Sequence, residues 1–311
     1  MEDKQLPSSF LWRRLHSLTG AWLAGFVIFH LLTNSQAALL FGQDGSGFIH
    51  AVNAIHTTPF LPIVEIAILA FPIVIHMIWG VIYLRSAEYN SFGKTGHTPY
   101  LPNYHGNQAY TWQRITSWLL IFGIIAHVVH MRFIEYPSSA QVGDTHSYMV
   151  RVSDDPGLET VAARLGVTLY TAQEIEKLKA QTPPPETKSG TETALAAQKA
   201  QEYQKWIKAL EHKPLRQGEV VASADNFGTA ELLMVRDTFK SPFMMVLYTL
   251  LVLAACFHGF NGLWTFMISW GVTVTVRSQK IMRTISTALM LLIGGLGLSA
   301  VWFTYWINLK S

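Results

Sequence analysis

Five blocks of apolar residues, each about as long as a lipid hydrocarbon core is thick, constrain this 311-residue chain more than any other feature. They run approximately from 17 to 41, 60 to 84, 112 to 134, 242 to 268 and 284 to 309. As helices rising about 1.5 Å per residue, each suits a core of about 30 Å. Only helices and closed barrels satisfy all their backbone polar groups within lipid, and blocks of this length read as helices. With 50% hydrophobic and 14% charged residues, the chain reads as an integral membrane protein and not as a soluble domain.

The stretch "MEDKQLPSSFLWRRLHS" carries acids and a proline, and no small-residue cleavage site ends the first apolar run. The first helix is therefore expected to be retained and not removed as a signal peptide. Lys and Arg set the expected orientation. Arg13 and Arg14 precede the first block, Arg85, Lys94 and Arg114 lie between the second and third, and Arg277, Lys280 and Arg283 between the fourth and fifth. The segment from Phe41 to Pro59 has neither residue. In a bacterial-type cytoplasmic membrane this places the N-terminus in the cytoplasm and the C-terminus outside.

The resulting organisation is three membrane helices in 1–136, an outer-side extramembrane insertion in 137–241, and two membrane helices in 242–311. The fold class is all-α, a five-helix transmembrane bundle with an α-rich insertion. Within the insertion "DPGLETVAARLGVTLYTAQEIEKLKAQ" and "TETALAAQKAQEYQKWIKALEHK" read as helices separated by the breaker "TPPPETKSG". The flanking "YMVRVS" and "GEVVASA" alternate like two short strands that pair with each other. This reads as a small docking or cap domain without chemistry of its own. The chain has no phosphate loop, C-x-x-C pair or internal repeat.

A single cysteine, Cys256, excludes an intramolecular disulfide, a thiolate cluster and covalent c-type haem attachment. The twelve histidines are the alternative donors. His30 falls on the first helix, His76 on the second, His127 and His130 on the third and His258 on the fourth. His30 and His127 lie 16 and 13 residues past Arg14 and Arg114, which is roughly 20 to 24 Å up from the inner ends. His76 is 17 residues past Pro59 and His258 is 18 past Lys240, which is roughly 26 Å down from the outer ends.

Two pairs at two depths on four helices is the arrangement with which a bundle ligates two stacked haems. A lone intramembrane histidine is as often a hydrogen-bonded structural residue, but ionisable groups in lipid are expensive, and four in matched layers point to ligation. Iron satisfies one ring nitrogen, so only the other needs a partner. His130, near the outer interface beside Arg132, is the rival to the deeper His127. Gly20, Gly25, Gly80, Gly123, Ala126, Gly259 and Gly262 leave room for a porphyrin, although such residues also mark close helix packing.

The segments "RRLHSLTG", "FHLLTNS", "FPIVIHMIWGVIY", "QRITSWLLIFGIIAHVVHMRF" and "FHGFNGLWTFMISWGVTVTVRSQ" resemble the cytochrome b membrane anchor of di-haem succinate dehydrogenases and fumarate reductases. The resemblance covers all five blocks, with "FNGLW" and "WGVTVT" its most specific parts, and omits about 138 to 224. It implies two haem b groups, with His30 and His127 ligating the distal one and His76 and His258 the proximal one. It further implies an FAD-containing flavoprotein subunit that oxidises succinate, an iron-sulfur subunit on the cytoplasmic face, and electron delivery to menaquinone. Lipid is the remaining partner, and no nucleic acid is expected.

An electron moving outward across a membrane that is negative inside gains up to about 2.3 kcal/mol per 100 mV, which assists succinate oxidation by a low-potential quinone. Fumarate reductases that compensate for the reverse direction carry a glutamate two residues before the fourth-helix ligand, and Cys256 stands there in this chain. The succinate-oxidising direction is therefore expected. Glu65, an acid in the outer part of the second helix, is the candidate quinone or proton site. Asp44, His50 and His56 are further outer-side candidates. Arg13, Arg14, His16, Gln113 and Arg114 at the inner ends are candidates for an interface or for haem propionates.

Three other readings stay open on the residues alone. A respiratory cytochrome bc arrangement takes two ligands about 14 residues apart from each of two helices. His16 and His30 fit that spacing, but Gln113 stands where the third helix would need its second ligand. A hydrogenase or formate dehydrogenase anchor is also a histidine-ligated bundle. A transporter or proton channel is the non-redox alternative.

Overall fold

The computed structural model describes residues 7–38, 45–86, 105–181 and 191–307. Among them, five helices are long and apolar enough to cross a membrane: Ser8–Ser35, Leu61–Arg85, Gly106–Ile134, Pro242–Ser269 and Val276–Tyr305. They correspond to the five apolar blocks, and are called the first to fifth spans. Large apolar side chains such as Ile63, Phe122 and Leu291 face outward, each about two-thirds exposed. A water-soluble surface does not carry so much apolar area, whereas lipid favours it.

The helix ends depart from the apolar blocks because backbone bonding, not hydropathy, sets them. The first span begins at Ser8 because Pro7 has no N–H to lose and its carbonyl accepts from Phe10 and Leu11. It ends at Ser35, where Gln36, Ala37 and Ala38 bond back three residues to Thr33, Asn34 and Ser35. Two spans contain wide turns, Ile66–Ala70 and Val129–Ile134. Asp44, Lys94 and the breaker "TPPPETKSG" lie outside the described residues.

The chain divides into two compact units. One comprises residues up to Leu32, Pro59–His127 and Val246–Leu298. Buried threonines dispose of their hydroxyls within their own helices there, Thr111 donating to Asn107 and Thr116 to Trp112.

The other unit comprises Thr33–Thr58, Val128–Met245 and the residues from Ser299 on. It contains helices α1 (Ser46–His56), α2 (Leu158–Leu165), α3 (Ala172–Ala180), α4 (Thr191–Leu210) and α5 (Phe227–Thr238). Its antiparallel sheet has the order β1 (Ser138–Val142), β2 (Thr145–Ser153), β4 (Glu219–Ala224), β3 (Thr168–Tyr170). The expected pairing of "YMVRVS" with "GEVVASA" is present as β2 on β4, with Val150 opposite Ala222. Met149 and Val221 join Ala140, Ile175, Ile207 and Leu210 in one core, while α5 packs on β2 and β4 and α1 packs on α5.

The first helical stretch expected in the insertion is two helices with a strand between them. Gly166 ends α2 at φ 67°, a left-handed conformation that glycine adopts without a Cβ clash. Thr168–Tyr170 then pairs with β4, and Thr171 starts α3 with a reciprocal cap, its side chain accepting from the Glu174 N–H. The fold is mostly helical, with a four-stranded antiparallel sheet in the second unit that an all-α reading did not include.

A buried ion cluster secures this unit. Arg236, 1% exposed, donates two hydrogen bonds to Asp155 at 2.8 and 2.9 Å, and Lys240 also pairs with Asp155. The Arg236 guanidinium lies 4.9 Å from the ring centre of Tyr305. Burial alone would raise the Asp155 carboxyl, but charged hydrogen bonds from Arg236 and Lys240 outweigh it and hold the pKa at about 2.

Candidate functional site

Four histidines on four spans meet as two pairs. The rings of His30 and His127 lie 5.9 Å apart between centroids, with planes inclined by 75°. Those of His76 and His258 lie 6.1 Å apart, inclined by 86°. No ring of one pair is stacked flat on its partner.

These separations suit two imidazoles on opposite sides of one metal ion. A metal–nitrogen bond of about 2 Å and about 1 Å more to the ring centre, counted on each side, put such centroids about 6 Å apart. Among the described residues no group of three or more His, Cys, Asp or Glu is arranged to hold a metal. Two-imidazole ligation, with a macrocycle supplying the remaining donors, is the metal chemistry that this donor set fits.

In His76, His258 and His127 one ring nitrogen is engaged as such ligation requires. His76 Nδ1 lies 3.0 Å from the carbonyl of His16 and 3.4 Å from the Thr19 hydroxyl. His258 Nδ1 lies 3.3 Å from the carbonyl of Gln113 and 3.4 Å from the Ser117 hydroxyl. His127 Nδ1 lies 3.2 Å from the Tyr248 hydroxyl. With Nδ1–H committed to a carbonyl, the Nε2 lone pair is free for a metal. His30 stacks on Phe26, one turn earlier in its span, at 5.5 Å.

His16 and Gln113, candidates for an interface or for haem propionates, both touch the pair formed by His76 and His258. The His16 ring stacks on His76 at 4.1 Å with planes 9° apart, and its carbonyl orients the same residue. The Gln113 side chain donates to the His258 carbonyl at 3.1 Å and accepts from Asn261 at 2.8 Å. Arg14 donates to the Ser269 carbonyl at the end of the fourth span and lies over the Phe10 and Trp270 rings. A cation at a helix C-terminus meets the negative end of its dipole.

Of the small residues, Gly20 faces His76 most closely: a Cβ there would stand 2.7 Å from the imidazole Cε1. At Gly123 it would stand 2.8 Å from Leu251, which marks close helix packing. No neighbour lies within 4 Å of a Cβ at Gly25.

Glu65 is partly buried and immediately precedes the wide turn Ile66–Ala70, eleven residues before His76. In an unbroken helix eleven residues make about three turns and align two side chains, and a wide turn takes up one more residue and rotates them apart by about 100°. The indole N–H of Trp22 donates to the Ile68 carbonyl within this turn at 2.6 Å. His56 stacks on Phe227 at 3.9 Å, with Nε2 3.4 Å from the Tyr148 hydroxyl. His130 lines a cavity in the other unit.

The carbonyl acceptors were not foreseen from the sequence, although a signal exists. "HSLT" and "QRIT" each put a threonine three residues after the acceptor and eleven before the span's own histidine.

The chain is 24% identical to the succinate dehydrogenase cytochrome b558 subunit of Bacillus subtilis (strain 168), over 94% of this chain and 95% of that protein. That name matches the family resemblance read from the sequence. No family model matches the chain, and no solved structure does.

Proposed function

We propose that this chain is the di-haem cytochrome b membrane anchor of a succinate dehydrogenase, passing electrons from a cytoplasmic iron-sulfur subunit to menaquinone. The observation that carries the reading is the pair of imidazole pairs, 5.9 and 6.1 Å apart between ring centres on four spans. The cytochrome b558 subunit similar over nearly the whole length supports it. Bound haem supplies an iron that takes up and releases one electron at a time.

The residues of the chain do the rest. His30 and His127 hold the distal group, and His76 and His258 the proximal one. The His16 and Gln113 carbonyls fix the tautomer and tilt of the proximal rings, and Tyr248 orients His127. Glu65 serves the quinone, as a hydrogen-bond partner or as a proton donor. The inner ends of the spans receive the iron-sulfur subunit, which carries the FAD flavoprotein that oxidises succinate. The chain has no chemistry towards succinate by itself. It lies in a bacterial-type cytoplasmic membrane with its N-terminus inside, in the succinate-oxidising direction.

The test is the reduced-minus-oxidised spectrum of the purified complex, with pyridine haemochrome quantification per chain. Two b-type haems, reduced by succinate, and a co-purifying flavoprotein are expected. A complex without haem would sink the reading and leave the four histidines to a transport pathway. A nickel or molybdenum protein in place of the flavoprotein would assign the anchor to another dehydrogenase.

A further inference from the structure

A cavity of about 430 Å³ opens in the unit that contains the sheet, and no step described so far uses it. Ten of its thirteen lining residues are polar, and only Met234, Phe243 and Met244 are apolar. His130 lies on the wide turn Val129–Ile134 that closes the third span, Ser241 immediately precedes the fourth, and Phe243 and Met244 belong to its start. The cavity is therefore built where two spans leave the apolar stretch, with β2, β4 and α5 as its other walls.

The chemistry of the walls restricts the occupant. Arg151 bridges Glu135 at 3.3 Å and Glu219 at 3.5 Å. Lys213 also reaches Glu135, at 3.6 Å, and Lys240 pairs with Asp237 at 3.0 Å. The backbone N–H of Arg216 donates to Glu219. Apart from the exposed Arg216 guanidinium these charges are mutually paired, which leaves little to attract an anion. Three apolar residues are too few to bury a quinone ring or an acyl chain, which prefers a mostly apolar pocket. Water remains, and the volume holds on the order of ten molecules.

Arg216 is exposed at one part of the wall, Glu135, Arg151 and Glu219 are mostly buried, and His130 is partly buried. His130 Nδ1 is buried without a protein hydrogen bond, which favours the tautomer with its proton on Nε2. Beside the same network, burial pushes the Glu231 carboxyl up to about 7, although Arg132 and Lys213 favour its charged form.

We propose that this cavity is a water-filled proton reservoir on the outer side, whose protons, passed on through His130, are those consumed in quinone reduction. The proposal rests on the function proposed above. Reduction of a quinone adds two electrons, drawn from succinate as it becomes fumarate, and two protons, one on each carbonyl oxygen. Those two protons come from the cavity. The insertion is then a proton-collecting device: Arg151 and Glu219 come from strands that lie within it.

The test uses the whole complex in membranes, with His130→Gln and Met244→Trp, the latter filling the cavity with a larger ring. In His130→Gln, haem content and the rate of haem reduction by succinate are expected to equal wild type. Turnover with a water-soluble menaquinone analogue is expected to fall about tenfold, as loss of a positioned proton-transfer group costs at least that. Millimolar imidazole restores turnover in this variant, which a structural role would not allow. Met244→Trp lowers turnover likewise and, combined with His130→Gln, blocks the rescue. Wild-type turnover and pH profile in both single variants would overturn the proposal, as would a loss that imidazole does not restore. Failure of succinate to reduce the haems of the wild type is a separate outcome, which removes the proposed function and the reservoir with it.

Discussion

Replacing Gly20 by alanine tests how tightly the proximal histidine pair is held. The added Cβ would stand 2.7 Å from His76 Cε1, about 0.7 Å short of the 3.4 Å at which ordinary contact begins. The ring has little freedom to give way. Its Nδ1 is bonded to the His16 carbonyl at 3.0 Å, and the His16 ring stacks on it at 4.1 Å. A displacement of that size either stretches the hydrogen bond beyond a useful length or rotates the ring away from His258. Loss of one such orienting interaction typically weakens metal binding 10- to 100-fold, about 1.4 to 2.8 kcal/mol. Pyridine haemochrome quantification of the purified Gly20→Ala complex is expected to fall from two haems per chain towards one, and Gly25→Ala, where no neighbour lies within 4 Å, is the control. Two haems with wild-type potentials in Gly20→Ala would refute the argument that the packing of this glycine positions the ring.

Glu65→Gln is expected to keep both haems and lower quinone reduction, and unchanged turnover with a water-soluble menaquinone analogue would remove Glu65 from the quinone site. Single alanine replacements of His76 and His258 should abolish the same absorption band, and those of His30 and His127 the other. A band lost from both pairs together would contradict two independent sites. With ring planes inclined by 75° and 86°, two iron orbitals stay close in energy, so the oxidised complex should give a strongly anisotropic low-spin EPR signal. A rhombic signal of the parallel-imidazole type would contradict these angles. Asp155→Asn leaves the Arg236 guanidinium, 1% exposed, without its carboxylate, and should cost about 3 kcal/mol in chemical denaturation. Because the folded pKa is depressed from 3.8 to about 2, the stabilisation is full above pH 3.8 and is lost as pH falls through about 2. A wild-type stability flat across that window would exclude the pairing as its source.

The parts of this fold that were legible in the sequence are those with few physical alternatives. An apolar block of some twenty residues has one stable conformation in lipid, so the five spans could be found. The rise of a helix is fixed, so counting from Arg14, Arg114, Pro59 and Lys240 sorted four histidines into the two pairs whose rings meet. Helix ends were less accessible: the first span gained its opening turns from the Pro7 carbonyl and gives way to a turn at Gln36–Ala38. The three-residue strand Thr168–Tyr170 has no periodicity to detect and exists because β4 offers it an edge. The His16 and Gln113 carbonyls were hard to single out for a different reason. Every residue has a carbonyl, and only the packing of spans selects the two that meet an imidazole.

The first and third spans turn out to do the same work with different residues. His16 and Gln113 stand 14 residues before His30 and His127, and Thr19 and Thr116 stand eleven before them. Each threonine donates to the carbonyl three residues earlier, at 3.0 and 3.1 Å. That carbonyl also receives an imidazole Nδ1, from His76 at 3.0 Å and from His258 at 3.3 Å, and two lone pairs allow both contacts. A separation of 14 residues returns to nearly the same helix face about 21 Å further along. Each of these spans therefore presents a histidine to its own pair and a carbonyl to the other. Because a helix is stiff over that length, a shift of either span displaces both pairs together. The spacing between the two sites is thus set by the helix rise, and the shared carbonyls need no particular side chain at the residues that supply them.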